Sequence, residues 1–291
     1  MTFSTPKARL GLAAALAFAA FAVPAKAVEK PIPPQQSWSF SGPFGKFDRA
    51  QLQRGFKVAR EVCASCHAMS LVRFRNLSEP GGPEFTPGQI RALAANYQIT
   101  AGPNDTGEMF QRPGLASDSF PAPFPNEQAA RAANGGAYPP DLSLLTKARS
   151  YKRGFPQFVI DIFTQYQEQG PDYVSALLTG YKDPPQGFPA LLPGQHYNAF
   201  MAGNLIAMPK PLNDGQVEYP KGQDGKAVVP ETVAQYAKDV TAFMTWAAEP
   251  HMEARKRLGF QVMIFLALFA GLLYYTKKKV WSRMPDGSPA H

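Results

Sequence analysis

The chain has 291 residues, 45% of them apolar, so it can bury a substantial core as one or two domains, and wholesale disorder is excluded. Its 29 prolines and 24 glycines approach a fifth of the chain without the period of a fibre, which predicts long ordered loops joining few regular elements. The net charge of +8 sits at the two ends: of 30 basic and 22 acidic residues, positions 28 to 257 keep 23 and 21, so no basic stripe remains to track phosphates and nucleic-acid binding is not indicated.

In chain order, the first element is an address. Lys7 and Arg9 precede the apolar run Leu10 to Val23, and Ala25-Lys26-Ala27 has the small-x-small form of a signal peptidase site, so residues 1–27 read as an export signal and the mature chain is expected to start at Val28. The next element is a helix capped by Asp48, in which Leu52, Phe56, Ala59, Val62 and Cys63 recur at steps of three and four. It delivers "EVCASCHAM", residues 61–69, which holds both cysteines of the chain and one of its four histidines.

Four chemistries compete for Cys63 and Cys66: a structural disulfide, a redox-active pair, zinc, and covalent haem. Zinc would need a second ligand pair that the cysteine count does not supply. His67, directly after Cys66, favours haem: each thiol adds across a porphyrin vinyl group, and the adjacent imidazole is then held under the ring as an axial ligand. Both thioethers and the iron ligand must come from one short turn, which is what C-x-x-C-H encodes.

A sixth ligand is then required, commonly a methionine or a second histidine. Of nine methionines, Met1 leaves with the signal, Met69 is too near the proximal turn, Met244 fits a helix core face, and Met263 and Met284 lie in or beyond the last apolar run. Met109, Met201, Met208 and Met252 remain. Met208 is favoured, because "GNLIAMPKPL" (203–212) places prolines directly after it and at 211, predicting an extended, stiff strap able to hold a weak neutral ligand. His196 is the chief rival and His251 a lesser one.

Between these motifs, "NGGAYPPDLSLLTKAR" (134–149) is a proline-rich loop. Pro139 and Pro140 can lie flat on a porphyrin or serve as ordinary turn prolines, and Arg149 can pair with a propionate or stand as a solvated surface arginine. Further helices are predicted from Asp172 to Leu178, ended by Gly180, and from Thr232 to about Ala248, where Thr232 and Gln235 form a capping-box pattern and Pro250 stops the element. No strands stand out beyond short hairpin candidates such as Gln216 to Val229, with its turn at Asp224-Gly225. Last comes Leu258 to Tyr275, free of charge, near the roughly 20 residues that cross a bilayer and bounded by Arg255-Lys256-Arg257 and Lys277-Lys278-Lys279. With the export signal, it predicts a membrane anchor with the bulk outside and residues 277–291 inside.

"VCASCHAM", "NGGAYPPDLS" followed by "KAR", "DYVSALLTGY", "IAMPKPL" and "DVTAFMTWAAEP", then a single C-terminal span, occur here in an order similar to that of the cytochrome c1 family, the haem c subunit of ubiquinol:cytochrome c oxidoreductase. The resemblance covers nearly the whole mature chain. It implies a mainly α, class I cytochrome c-like haem domain at 28–257 with long proline-rich loops, and one transmembrane helix at 258–276. It implies covalent haem c at Cys63 and Cys66, iron ligation by His67 and Met208, haem packing by Pro139 and Pro140, and propionate contacts from Arg149 and Tyr173. It further implies an electron-transfer subunit without a catalytic residue of its own. Its partners would be cytochrome b and the Rieske iron-sulfur protein of a dimeric complex and a soluble or tethered cytochrome c, in a bacterial inner membrane with the haem domain on the periplasmic side.

Three departures accompany the resemblance. Residues 150–171 read as an insertion of a kind bacterial members carry, the two cysteines leave none for an additional disulfide, and a near-neutral domain steers a basic partner weakly. The rival readings are a membrane-anchored haem c subunit of a terminal oxidase or dehydrogenase, and an exported thiol-disulfide oxidoreductase.

Overall fold

In the computed structural model, which describes residues 31–223 and 225–282, the carboxylate of Asp48 accepts from the amide of Gln51 at 3.2 Å and starts α1 (Arg49–Glu61). The export signal expected at 1–27, Asp224 of the expected turn, and Arg283 onward lie outside the described residues. Leu52, Phe56 and Ala59 are buried, as their spacing predicts. The other elements are α2 (Pro87–Ala95), β1 (Gln98–Ala101), β2 (Phe110–Pro113), α3 (Glu127–Ala133), α4 (Gln157–Thr164), α5 (Gln169–Thr179), β3 (His196–Tyr197), β4 (Leu205–Ile206), α6 (Val233–Ala248) and α7 (Met252–Trp281). Among the described residues strands pair only as two antiparallel ribbons, β1 with β2 and β3 with β4, so the domain is mainly helical with long loops.

The core is built on α6, against which both α1 and α5 pack. Thr232 caps α6 by accepting from the Gln235 amide at 3.4 Å, and the helix buries Tyr236, Ala237, Val240, Phe243, Met244 and Trp246. Gln235 does not return the capping contact the sequence pattern predicts. Its side-chain amide donates to the carboxylate of fully buried Asp239 at 2.8 Å. Asp239 also accepts from Arg54 Nε at 2.8 Å, Gln51 Nε2 at 3.1 Å and the Tyr219 hydroxyl at 2.9 Å, which ties α1 to α6. The two helices approach so closely that a Cβ on Gly55 would stand 2.0 Å from the Asp239 carbonyl oxygen; only glycine fits there. Phe56 completes the contact, with ring centroids 5.5 Å from Phe243 and 5.6 Å from Phe85.

Two expectations are corrected in detail. The helix expected from Asp172 begins three residues earlier, because Asp172 is wholly buried and accepts from Trp38 Nε1 at 2.7 Å and the Gln36 amide at 3.0 Å. The 216–229 hairpin reduces to one bridge, Lys221 with Ala227, among the described residues.

The charge-free run lies inside α7, and every residue from 258 to 282 is exposed, so this helix is long and apolar enough to cross a membrane. Its first turns are fastened to the domain. Arg49 forks onto Glu253 at 2.7 and 2.9 Å, the Phe47 amide donates to Glu253 at 2.8 Å, and Lys256 donates to the Phe40 and Gly42 carbonyls at 2.6 Å each. Burial pushes the Glu253 carboxyl up, but the bonds from Arg49 and Phe47 outweigh it and hold its pKa below the usual glutamate range. A lowered folded-state pKa contributes stability that is fully present above the unfolded glutamate value, about 4.3, and is lost as pH falls through the folded value. Glu253→Gln is therefore expected to cost about 1 kcal/mol at neutral pH and to flatten the acid limb of the stability profile. Guanidinium melts of the full chain in detergent between pH 3 and 7 check this; an unchanged acid limb would show the fork to be idle.

Candidate functional site

α1 ends in the motif. After Val62 the chain tightens into a 3-10 turn at Cys63–Ser65, and the amides of Cys66 and His67 both donate to the Cys63 carbonyl, at 3.1 and 2.9 Å. Two thiols and an imidazole thus leave one turn, half-buried, with both thiols free. Burial, with a smaller contribution from Cys66, pushes the Cys63 thiol up to about 12.

His67 Nδ1 lies 2.8 Å from the Pro140 carbonyl oxygen. A carbonyl only accepts, so Nδ1 carries the proton and Nε2 presents its lone pair. Burial lowers the His67 pKa against the opposing pull of Pro140 and Asp141, which keeps the ring neutral and able to ligate. The Pro140 carbonyl is what orients the His67 ring.

Asp141 fixes that carbonyl, and it had no place in the sequence reading. Its carboxylate accepts from the Ser70 amide at 2.9 Å, the Ser70 hydroxyl at 2.6 Å and the Ser143 amide at 2.7 Å, while the Leu142 amide donates to the Ala68 carbonyl at 2.8 Å. Residues 67–71 and 140–143 are thereby zipped together. Burial raises the Asp141 carboxyl, but the bonds from Ser143 and Ser70 prevail and lower it. The available signal was "DLS", an Asx-turn pattern in which Asp accepts from the amide two residues on.

Met208 is half-buried against the same apolar core that receives Cys63, Met69 and Tyr173. Its carbonyl accepts from the Tyr181 hydroxyl at 3.0 Å, so the residue just beyond α5 holds it. Of the strap expected over 203–212 only Leu205–Ile206 is strand; Ala207 and Met208 lie in a bend, and 209–212 have no regular structure. Gly203 and Asn204 take positive φ of 76° and 59° and form a turn, which fully buried Asn198 secures by accepting the amides of Phe200 and Met201 and donating to the Leu177 carbonyl.

Among the rival ligands, Met109 is exposed, Met252 is buried where α7 begins, and the Met201 sulfur accepts from the Tyr173 hydroxyl at 3.6 Å. His196 pairs with Ile206 in the β3–β4 ribbon, and His251 is exposed at the α7 cap. Arg149 is exposed and donates to the Ala148 carbonyl at 3.2 Å. Burial raises the Tyr173 phenol, and the Arg149 charge opposes it. Two thiols, a pre-set imidazole lone pair and a half-buried thioether on a tethered backbone are a donor set that fits a covalently bound porphyrin iron.

The model of the Cytochrome C1 family matches residues 38–284. The chain belongs to the cytochrome c1 family. It is 64% identical over 251 residues to "Cytochrome b/c1" of Bradyrhizobium diazoefficiens, covering 86% of this chain and 36% of that one, so it spans about a third of that relative's length. It is 46% identical over 286 residues to "Cytochrome c1" of Blastochloris viridis, covering 97% and 99% of the two chains. It is 43% identical over 249 residues to "Cytochrome c1, heme protein, mitochondrial" of Saccharomyces cerevisiae, covering 86% and 72%. The mainly helical fold with a long apolar C-terminal helix agrees with this membership and with the resemblance seen in the motifs.

In a cytochrome c1-family chain the Asp141 zipper has a measurable role. Asp141→Ala frees the amides of Ser70 and Ser143 and the hydroxyl of Ser70, and is expected to cost about 1–3 kcal/mol. Asp141→Asn, which keeps an acceptor, is expected to cost less. Denaturant midpoints of the two variants check the order, and equal midpoints would contradict it.

Proposed function

We propose that the chain is the haem c electron-transfer subunit of a quinol:cytochrome c oxidoreductase. Haem c would be joined by thioether bonds to Cys63 and Cys66, with His67 Nε2 and Met208 Sδ as its iron ligands. Pro139 and Pro140 would pack on it, and Arg149 and Tyr173 would meet its propionates. When bound, the haem supplies a one-electron redox couple at its iron. The observation that carries the reading is the His67–Pro140 hydrogen bond, which sets the tautomer a ligand needs at the end of a C-x-x-C-H turn. Ligation by both His67 and Met208 would leave no open position for a substrate, and the chain would then act by holding a redox group and not by making or breaking a substrate bond. Its residues hold a redox group still, and the strap and zipper limit rearrangement between charge states.

Family membership supports a reading of the partners. The electron would come from a Rieske iron-sulfur protein and leave to a soluble or tethered cytochrome c. Cytochrome b would stand beside the anchor in a dimeric complex, a pairing supported by the name "Cytochrome b/c1" of the Bradyrhizobium relative. Residues 1–27 would be removed on export, 28–257 would stand in the periplasm, 258–276 would cross the bacterial inner membrane and 277–291 would remain in the cytoplasm. Purifying the chain's complex from its own membrane tests this. Co-purifying haem b and a Rieske centre are expected, and a copper centre in their place would assign the chain to a terminal oxidase.

A further inference from the structure

The insertion at 150–171 carries an apolar surface that the described residues leave uncovered. No residue of α4 is buried; Phe155 and Phe163 are 80% and 81% exposed, and Phe158, Ile160 and Ile162 are exposed beside them. The one acid of this helix, Asp161, is neutralised by Arg153 at 2.8 Å. The segment is nonetheless held in place. The Tyr166 hydroxyl donates to buried Asp172 and lies 2.8 Å from the Tyr151 hydroxyl, and the Arg153 guanidinium stands 4.3 Å over the Tyr166 ring.

That place is beside the anchor. Gln165, which ends α4, lines a cavity of about 620 Å³ whose other wall includes Gly259, Phe260 and Met263 from the apolar run of α7. Four cations, Lys147, Arg149, Arg255 and Lys256, line the same cavity against two acids, Glu168 and Glu249, the latter engaged by Lys147 and Arg255. The lining is therefore apolar where it joins the exposed anchor and carries a surplus of cations at the start of the apolar run. Such a division matches the boundary between headgroups and hydrocarbon, where an uncharged apolar helix can lie in the membrane surface.

We infer that α4 and this cavity meet the bilayer, the cavity receiving an anionic phospholipid with its phosphate against the cations and its acyl chain along Phe260 and Met263. The inference rests on reading α7 as a membrane span. A photo-crosslinking benzoylphenylalanine placed at Phe163, and separately at Phe155 and at Leu268 of the anchor, tests it in the full chain irradiated in its native membrane. The expected product at Phe163 and Leu268 is the chain plus one phospholipid, with phosphatidylglycerol at Phe163 at least twofold above its share of the membrane lipid, and with Arg255→Gln abolishing that excess. Phe155 gives the same reading should the Phe163 variant not accumulate. A Phe163 crosslink to another polypeptide or to a second copy, no adduct at all, or a lipid adduct without the excess would overturn the inference while leaving the span intact. Absence of a lipid adduct at Leu268 as well would overturn both.

Discussion

Met208→Leu is expected to leave haem attached but to remove its sulfur ligand. The reduced spectrum would change, the near-infrared sulfur–iron band would vanish, and the reduction potential would fall by on the order of a few tenths of a volt, within the roughly 0.8 V that axial ligands span. Leucine matches methionine in bulk and keeps the residue packed against the core, so the change isolates the sulfur. The backbone around it is restrained independently, by Tyr181 on its carbonyl and by the Asn198-centred turn before it. Tyr181→Phe, which releases that carbonyl, should move the potential in the same direction by a smaller amount. Redox titration of the purified complex decides: an unaltered potential and band in Met208→Leu would pass the ligand role to another methionine, and a parent chain without the band would pass it to His196.

Asp239→Ala is expected to be the most damaging single change to the fold. Asp239 is fully buried and gathers Arg54, Gln51, Tyr219 and Gln235. Removing it leaves the Arg54 guanidinium, only 13% exposed at its side chain, without its counter-charge. Breaking one side of a buried pair costs about 3–5 kcal/mol, a large part of the roughly 5–15 kcal/mol that holds a domain folded. Because α1 carries the motif, loosening its contact with α6 reaches the site as well as the core. A guanidinium midpoint for Asp239→Ala equal to that of the parent chain would contradict this, and Asp239→Asn, which keeps the shape, should fall between the two.

How much of this was visible in the residues varied with the range of the interaction. α1 and α6 announce themselves through apolar steps of three and four behind Asp48 and Thr232, and α7 through a run without charge. All of these are local patterns, and so is the C-x-x-C-H turn. α4 is only eight residues long, so although Phe158, Ile160, Ile162 and Phe163 share one side of it, two turns are too few for a period to stand out between the surrounding loops. β3 and β4 are two residues each, too short for alternation to show. The His67–Pro140 bond joins positions 73 apart through a backbone carbonyl, which no side-chain pattern encodes. Tyr181 on the Met208 carbonyl and Asp172 on Trp38 were hidden for the same reason: each pairs a residue with a group brought near only by the folded chain.

The central claim is that two sulfurs, one imidazole and one thioether of this chain hold an iron porphyrin, the first two covalently. Haem-dependent peroxidase staining of the chain after denaturing electrophoresis, with alkylation of Cys63 and Cys66 followed by intact mass on the same material, tests it most directly. The account predicts a stained band carrying the added mass of one haem, with both cysteines inert to the reagent. An unstained band whose two cysteines are freely alkylated would contradict it.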